Sequence, residues 1–165
     1  MLILKAIANV DKNWGIGAEN DLLFHIPDDM KFFRKTTLNK VVIMGRKTLE
    51  TLPNSKPFKD RKNIILTRDK NFSMEDCTVF NDTSELLEHI KQYDKDEVFV
   101  VGGGEIYSLL LPFCDTAIIT KTLSEKNATA FFPNIDTNTE WTLSQQSDEH
   151  EYEGIKFKFC IYKRT

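Results

Sequence analysis

The sequence has little of what a staple, a metal cluster or a membrane anchor needs. Its 165 residues include only three cysteines, Cys77, Cys114 and Cys160, an odd number set far apart. No Cys-x-x-Cys occurs, and His25, His89 and His150 are equally scattered, so neither a disulfide framework nor a metal site is expected. Three such thiols suit a reducing, cytoplasmic setting. Charge of one sign is also missing. Lys+Arg is 22 against 25 for Asp+Glu, a net of −3, which offers no basic surface for a nucleic-acid backbone. No apolar run approaches the roughly 18–20 residues of a helical membrane span. Residues 1–9 have no basic n-region and no cleavage site, and are expected to form a buried first strand rather than an export signal. No repeat, low-complexity tract or linker interrupts the chain, which reads as one domain over residues 1–165.

What is present is an alternation. Short, nearly all-apolar runs at 2–8, 41–44, 63–67, 78–80, 98–101 and 117–120 have the character of strands covered on both faces. Helical stretches are expected between them at 29–37, 47–52, 84–93 and 105–111, with Ser84 as a cap for the third and Pro112 closing the fourth. This predicts an α/β fold with a mainly parallel sheet. Near the end, Ile155, Phe157, Phe159 and Ile161 alternate with Lys156 and Lys158, as in an antiparallel strand with one wetter face. Residues 141–146 are its expected hairpin partner.

Four segments have residues suited to chemistry. Val98-Phe-Val-Val-Gly-Gly-Gly-Glu-Ile-Tyr107 runs a strand through three glycines into a helix, where bare backbone and free N–H groups suit a phosphate. The same pattern also suits a tight turn with no ligand, and the third glycine of a dinucleotide fingerprint is replaced by Tyr107. Val42-Ile-Met-Gly-Arg-Lys-Thr48 repeats the strand–glycine–helix form and adds Arg46, Lys47 and a hydroxyl, although a solvated basic turn would look alike. Thr67-Arg68 makes a third cationic corner, and together the three favour a dinucleotide with several phosphates. In Ile26-Pro-Asp-Asp-Met-Lys-Phe-Phe33, Asp28 is placed to cap the helix in solvent. Asp29, Met30 and Phe33 share the apolar side, where a carboxylate is costly unless a cationic or hydrogen-bonding ligand meets it, although an N-cap pair with no ligand would look alike. The fourth, 14–24, has two glycines and several polar residues, as in a mobile loop over the end of the first strand or a plain turn.

In this order the segments resemble dihydrofolate reductase, from Ile3 to the last hairpin. Ile-Ala precedes Gly-Ile-Gly and then Pro-x-Asp-x3-Phe. Val-Ile-Met-Gly-Arg-x-Thr, Arg-Lys-Asn-Ile-Ile-Leu, Val-Gly-Gly-Gly-x-x-Tyr and Phe132-Pro133 follow. The resemblance implies a central, mostly parallel eight-stranded sheet flanked by helices, with an antiparallel C-terminal hairpin. It implies NADPH-dependent reduction of 7,8-dihydrofolate to tetrahydrofolate for one-carbon metabolism, by a cytoplasmic monomer open to antifolate inhibitors.

Residue roles follow from the same resemblance. Asp29 would be the active-site acid that grips the pterin, with Thr120 hydrogen-bonded to it and a proton-delivering water admitted near Leu22. Ile7, Ala8, Met30, Phe33 and Val101, with Tyr107, would line the pterin pocket, and Arg61 would clamp the glutamate α-carboxylate. The NADPH positions would be Ala8 and Asn9; Ile16, Gly17, Asp21 and Leu22 of the loop; Gly45, Arg46, Lys47 and Thr48; Thr67 and Arg68; and Gly102, Gly103, Gly104, Glu105, Ile106 and Tyr107. A cis peptide would join Gly102 to Gly103.

Three positions depart from the family pattern. Leu22-Leu23-Phe24 replaces the usual Leu-Pro-Trp, removing an indole donor and a proline restraint, and Asn9 stands where a small Ala is common. Two other readings stay open on sequence alone: a pyrimidine reductase of riboflavin synthesis on the same fold, and a non-catalytic nucleotide-binding module.

Overall fold

The computed structural model describes residues 4–18 and 21–165. Leu2 and Ile3 of the expected first strand, and Glu19 and Asn20 of the expected loop, lie outside the described residues.

Among the described residues the chain forms, in order, β1 (Leu4–Val10), β2 (Gly15–Ala18), β3 (Asp21–Leu22), α1 (Pro27–Thr37), β4 (Val41–Gly45), α2 (Arg46–Thr51), β5 (Lys62–Leu66), β6 (Cys77–Phe80), α3 (Thr83–Ile90), β7 (Val98–Gly102), α4 (Gly104–Leu110), β8 (Cys114–Thr122), β9 (Ala130–Phe131), β10 (Trp141–Gln146), β11 (His150–Tyr152) and β12 (Ile155–Arg164). The central sheet runs β10-β12-β8-β1-β7-β4-β5-β6, with β11 hydrogen-bonded to β12. β8, β1, β7, β4, β5 and β6 pair in parallel, and β12 enters antiparallel to β8. This is the predicted mostly parallel eight-strand path.

All five residues of β4 are buried. The pleat sends alternate residues to opposite faces: Val41 and Ile43 join the larger core cluster, while Val42 and Met44 pack with Leu49 and Ile65. α1 starts at Pro27, whose missing N–H costs nothing in the first turn, and ends with Arg34 and Lys35 favourably placed at the negative end of the dipole.

Three local expectations need correction. Asp82, not Ser84, caps α3: its carboxylate accepts the Ser84 N–H at 2.7 Å. Residues 141–146 do pair with β12, but the tight hairpin is β11 to β12, turning at Glu153 and Gly154, both with positive φ. β12 also lacks a wet face over its middle. Phe157 packs beside Leu23, Phe24 and Ile26, while Cys160 and Tyr162 are buried in the main core. The reason is topological, since β12 is an interior strand between β8 and β10.

The segment expected as a loop is instead part of a small antiparallel sheet, β3-β2-β9. Its strands are too short and glycine-rich to show a periodic pattern. It sits beside β1 near the carboxyl end, the same end at which β4 and β7 run into helices, where open α/β sheets bind ligands.

Candidate functional site

The first functional side chain, Asp29 in the first turn of α1, reaches both β1 and β8. Thr120 Oγ1 donates to Asp29 Oδ1 at 2.5 Å, and Asn9 Nδ2 donates to Asp29 Oδ2 at 3.0 Å. Behind them, Thr122 Oγ1 donates to Asn9 Oδ1 at 2.7 Å. Asn9 and Thr120 are register partners, and Thr122 lies two residues further along the same face of β8. Burial pushes the Asp29 carboxyl above the ordinary carboxylate range, while the two donors pull it back. Asp28 is exposed and does not cap: the N-cap is Ile26, with no side-chain bond.

The walls beside Asp29 are mixed. Ile7 is buried, and its carbonyl accepts the Tyr107 hydroxyl at 2.6 Å, leaving that oxygen a second lone pair. Tyr107 is buried, so its phenol stays protonated, pushed up by burial and by the Asp29 charge. Ala8 and Val101 are half-buried. Phe33 is half-buried and its ring centre lies 5.4 Å from that of Phe58. Met30 corrects the expectation of a shared apolar side. It is 43% exposed, because one residue is about 100° round the helix and carries Met30 away from the buried stripe.

Arg61 stands at the other end of α1. Its Nε donates to Thr37 Oγ1 at 3.1 Å, Nη1 to the Lys59 carbonyl at 2.6 Å, and Nη2 to the Arg34 carbonyl at 2.8 Å. Of five N–H groups, one on each terminal nitrogen remains free of these bonds. Burial lowers its pKa, but a guanidinium remains charged. Asn63 holds the preceding turn, donating to the Phe58 and Arg61 carbonyls and accepting the Phe58 N–H.

The two strand-to-helix corners lie side by side because β4 pairs with β7, Met44 opposite Gly102. Gly45 and Gly103 are the N-caps of α2 and α4, and neither supplies a side-chain cap. Gly102 has φ +123° and is joined to Gly103 by a cis peptide. A Cβ on Gly104 would meet the Phe131 carbonyl at 2.9 Å, which leaves room there only for bare backbone, and one on Gly103 would press on Thr48 Oγ1 at 3.3 Å. Glu105 is exposed and Ile106 buried. Arg46 reaches Glu50 at 3.0 Å and Asp69 at 2.9 Å. Arg68 meets Glu105 at 2.8 Å, Lys47 is exposed, and Thr67 Oγ1 accepts the Asp69 N–H. Positive charge at these corners is therefore partly matched, more than sequence alone implies.

The family model described as dihydrofolate reductase matches residues 3–164. The chain belongs to the dihydrofolate reductase family. The dihydrofolate reductase of Bacillus subtilis (strain 168) is 32% identical over 98% of this chain and 95% of its own length. That of Neisseria meningitidis serogroup B is 35% identical, with 99% of each chain covered. Among solved structures, dihydrofolate reductase from Enterococcus faecalis complexed with NADP(H) and RAB-propyl superposes with a TM-score of 0.88 at 28% identity, covering 99% of this chain and 96% of that one.

Against the dihydrofolate reductase pattern, the segment around Leu22 is built differently from what the missing Pro-Trp suggests. Ile16 and Gly17 lie buried in β2, and Gly17 pairs with Leu22 while Ala18 pairs with Asp21. Asp21 and Leu22 are exposed, Leu22 by 58%. Phe24 is only 6% exposed, and the Lys126 ammonium lies 4.7 Å from its ring centre. The same ammonium donates to the Leu23 carbonyl at 2.8 Å. A restraint is thus present, supplied from a distant loop.

Sequence reasoning missed Lys126, Thr37, Asn63 and Thr122, and gave Asn9 a different partner. Thr122 had a signal, the period of two from Thr120, as did Thr37, one helical turn beyond Phe33. Lys126 had none.

Proposed function

We propose that this member of the family reduces 7,8-dihydrofolate to 5,6,7,8-tetrahydrofolate, with Asp29 as the group that binds and polarises the pterin. NADPH, when bound, supplies the hydride. The observation that carries the reading is a largely buried carboxylate with no cationic partner among its hydrogen-bonding neighbours, held at both oxygens by neutral donors. Such a group is suited to a planar cationic or N–H-rich edge.

Asp29 has about four lone-pair directions, of which Thr120 and Asn9 take two. The remaining two accept the 2-amino group and adjacent ring N–H of the pterin. Its charge is complementary to the growing positive charge on the ring, so its contribution increases toward the transition state. The free lone pair of the Ile7 carbonyl orients the same ring. Phe33 packs on the aryl linker, and the free fork of Arg61 takes the glutamate α-carboxylate. Exposed Leu22 borders the path by which water brings the proton for the imine nitrogen.

The corners fit the cofactor. Gly45 and Gly103 leave uncapped N–H groups for a pyrophosphate, and Thr48 adds a hydroxyl. Arg46, Lys47 and Arg68, with Thr67, are the groups to meet a ribose 2′-phosphate. Their carboxylate partners are partly or well exposed and give way readily to a phosphate. Ala8 and Asn9 border the nicotinamide through their backbone, and Ile16, Gly17, Asp21 and Leu22 with Gly102 to Tyr107 enclose the rest. The unpaired thiols Cys77, Cys114 and Cys160 support a cytoplasmic setting.

The test is loss of nicotinamide absorbance with purified protein, NADPH and dihydrofolate, with tetrahydrofolate identified as the product. Background oxidation unchanged by dihydrofolate would sink the proposal.

A further inference from the structure

The family pattern places Asn9 beside the cofactor, yet its carboxamide is committed to Asp29. Donor directions fix this orientation. The Asp29 carboxylate can only accept, so the amide nitrogen faces its Oδ2 and the Asn9 oxygen is left to accept the Thr122 hydroxyl; the reverse orientation would set two oxygens against each other. β1 and β8 bring the three side chains together, since Asn9 is in register with Thr120 and two residues from Thr122 along β8.

We propose that Asn9, oriented by Thr122, is a positioning residue for dihydrofolate reduction: with Thr120 it clamps both oxygens of Asp29 so that the two remaining lone pairs stay coplanar with the pterin edge. The inference rests on the assignment of Asp29 as the pterin-binding carboxylate. A carboxylate held by Thr120 alone keeps a broad rotation about its terminal torsion. Held at both oxygens, it is fixed in the plane that a bidentate partner requires, before substrate arrives. The electrostatics around it are simple. Asn9 on β1 and Thr120 on β8 are neutral, Tyr107 on α4 is protonated with its hydroxyl on the Ile7 carbonyl, and Asp28 on α1 is exposed.

The experiment compares Asn9→Ala, Thr122→Val and the double variant, each as the full chain. Four quantities are read: the NADPH Kd, kcat/KM for dihydrofolate, the Asp29 titration midpoint by carboxyl NMR, and the thermal midpoint. Asn9→Ala lowers kcat/KM roughly tenfold, the scale of one hydrogen bond to a charged group. It leaves the NADPH Kd within about twofold and raises the Asp29 midpoint, because a donor to the ionised form is gone. Thr122→Val changes both in the same sense, less strongly, and adds nothing once Asn9 is Ala, because it acts through Asn9. If Asn9→Ala does not fold, Thr122→Val carries the same test through the titration and kcat/KM.

A weaker NADPH Kd with wild-type kcat/KM and an unmoved Asp29 midpoint would overturn the proposal, as would additive effects of the two substitutions. Wild-type protein without dihydrofolate turnover defeats the functional reading itself. Wild-type turnover with an indifferent Asn9→Ala defeats only this inference.

Discussion

The Lys126 ammonium lies 4.7 Å from the centre of the Phe24 ring while donating to the Leu23 carbonyl at 2.8 Å. One cation therefore tethers both residues that replace the family's usual Pro-Trp. Lys126→Met keeps an apolar stem over the ring but removes the charge and the donor. Loss of the hydrogen bond and cation–π contact is expected to cost about 1–2 kcal/mol, given the exposure of the lysine. Because the cost is local, amides around Leu22 to Phe24 should exchange on the order of tenfold faster. Unchanged exchange there would show that the β2–β3 pairing alone holds the segment.

Arg61 leaves two N–H groups free while anchored by Thr37 and two carbonyls. Arg61→Lys retains charge but not the planar fork. The KM for dihydrofolate should rise by about tenfold or more with little change in turnover, because the glutamate is remote from the transferred hydride. A pteridine substrate without the glutamate tail should be nearly indifferent. Equal damage to both substrates would reduce Arg61 to a structural tie between α1 and the turn before β5.

Arg68 and Glu105 form an exposed pair at 2.8 Å, with side chains 93% and 71% accessible. Such a pair is weak in water, so a phosphate displaces Glu105 at small cost. Arg68→Ala should raise KM for NADPH on the order of tenfold and hardly affect NADH. Glu105→Gln should lower KM for NADPH by about twofold, since it removes a competitor. An equal response of the two cofactors to Arg68→Ala would place the 2′-phosphate elsewhere, with Arg46 or Lys47.

The sheet was legible because strands covered on both faces must be apolar throughout, and residues 41–44 and 98–101 are. The end of α1 at Thr37 was legible from its pattern, whereas its start lies two residues before the expected one, at Pro27. What sequence hid was pairing across the fold. Asn9 lies 20 residues from Asp29 and 113 from Thr122, and only the β1–β8 register brings them together. The strands β2, β3 and β9 were hidden for another reason: each is four residues or fewer, so their backbone partners, not their side chains, define them. Met30 shows the limit of reading a helix face from neighbouring residues, since one step along α1 was enough to move it out of the buried stripe.

Asp29→Asn separates the charge from the shape. Thr120 can still donate to the new amide oxygen, but the new NH2 would face the Asn9 NH2. The network survives if Asn9 flips, offering its oxygen to the new amide and its NH2 to the Thr122 hydroxyl, which can accept as well as donate. Folding and NADPH binding are therefore expected to persist. Stability should shift with a defined sign. Burial raises the folded pKa of Asp29 above the unfolded value of roughly 3.9. Below that value both states are protonated, and wild type pays nothing for the buried charge. As pH rises through the window up to the folded pKa, the unfolded state releases its proton first, and wild type loses stability that the amide keeps. The Tm advantage of Asp29→Asn should thus be absent in acid and level off above the folded pKa. Activity should move the other way: at neutral pH hydride transfer should fall by about 10²–10³, the scale of losing a preorganised electrostatic group. That loss should shrink as lower pH supplies dihydropterin already protonated. Single-turnover rates and thermal melts across pH measure both arms. A folded amide variant with near wild-type hydride transfer at every pH would show that the charge of Asp29 does not drive the reaction.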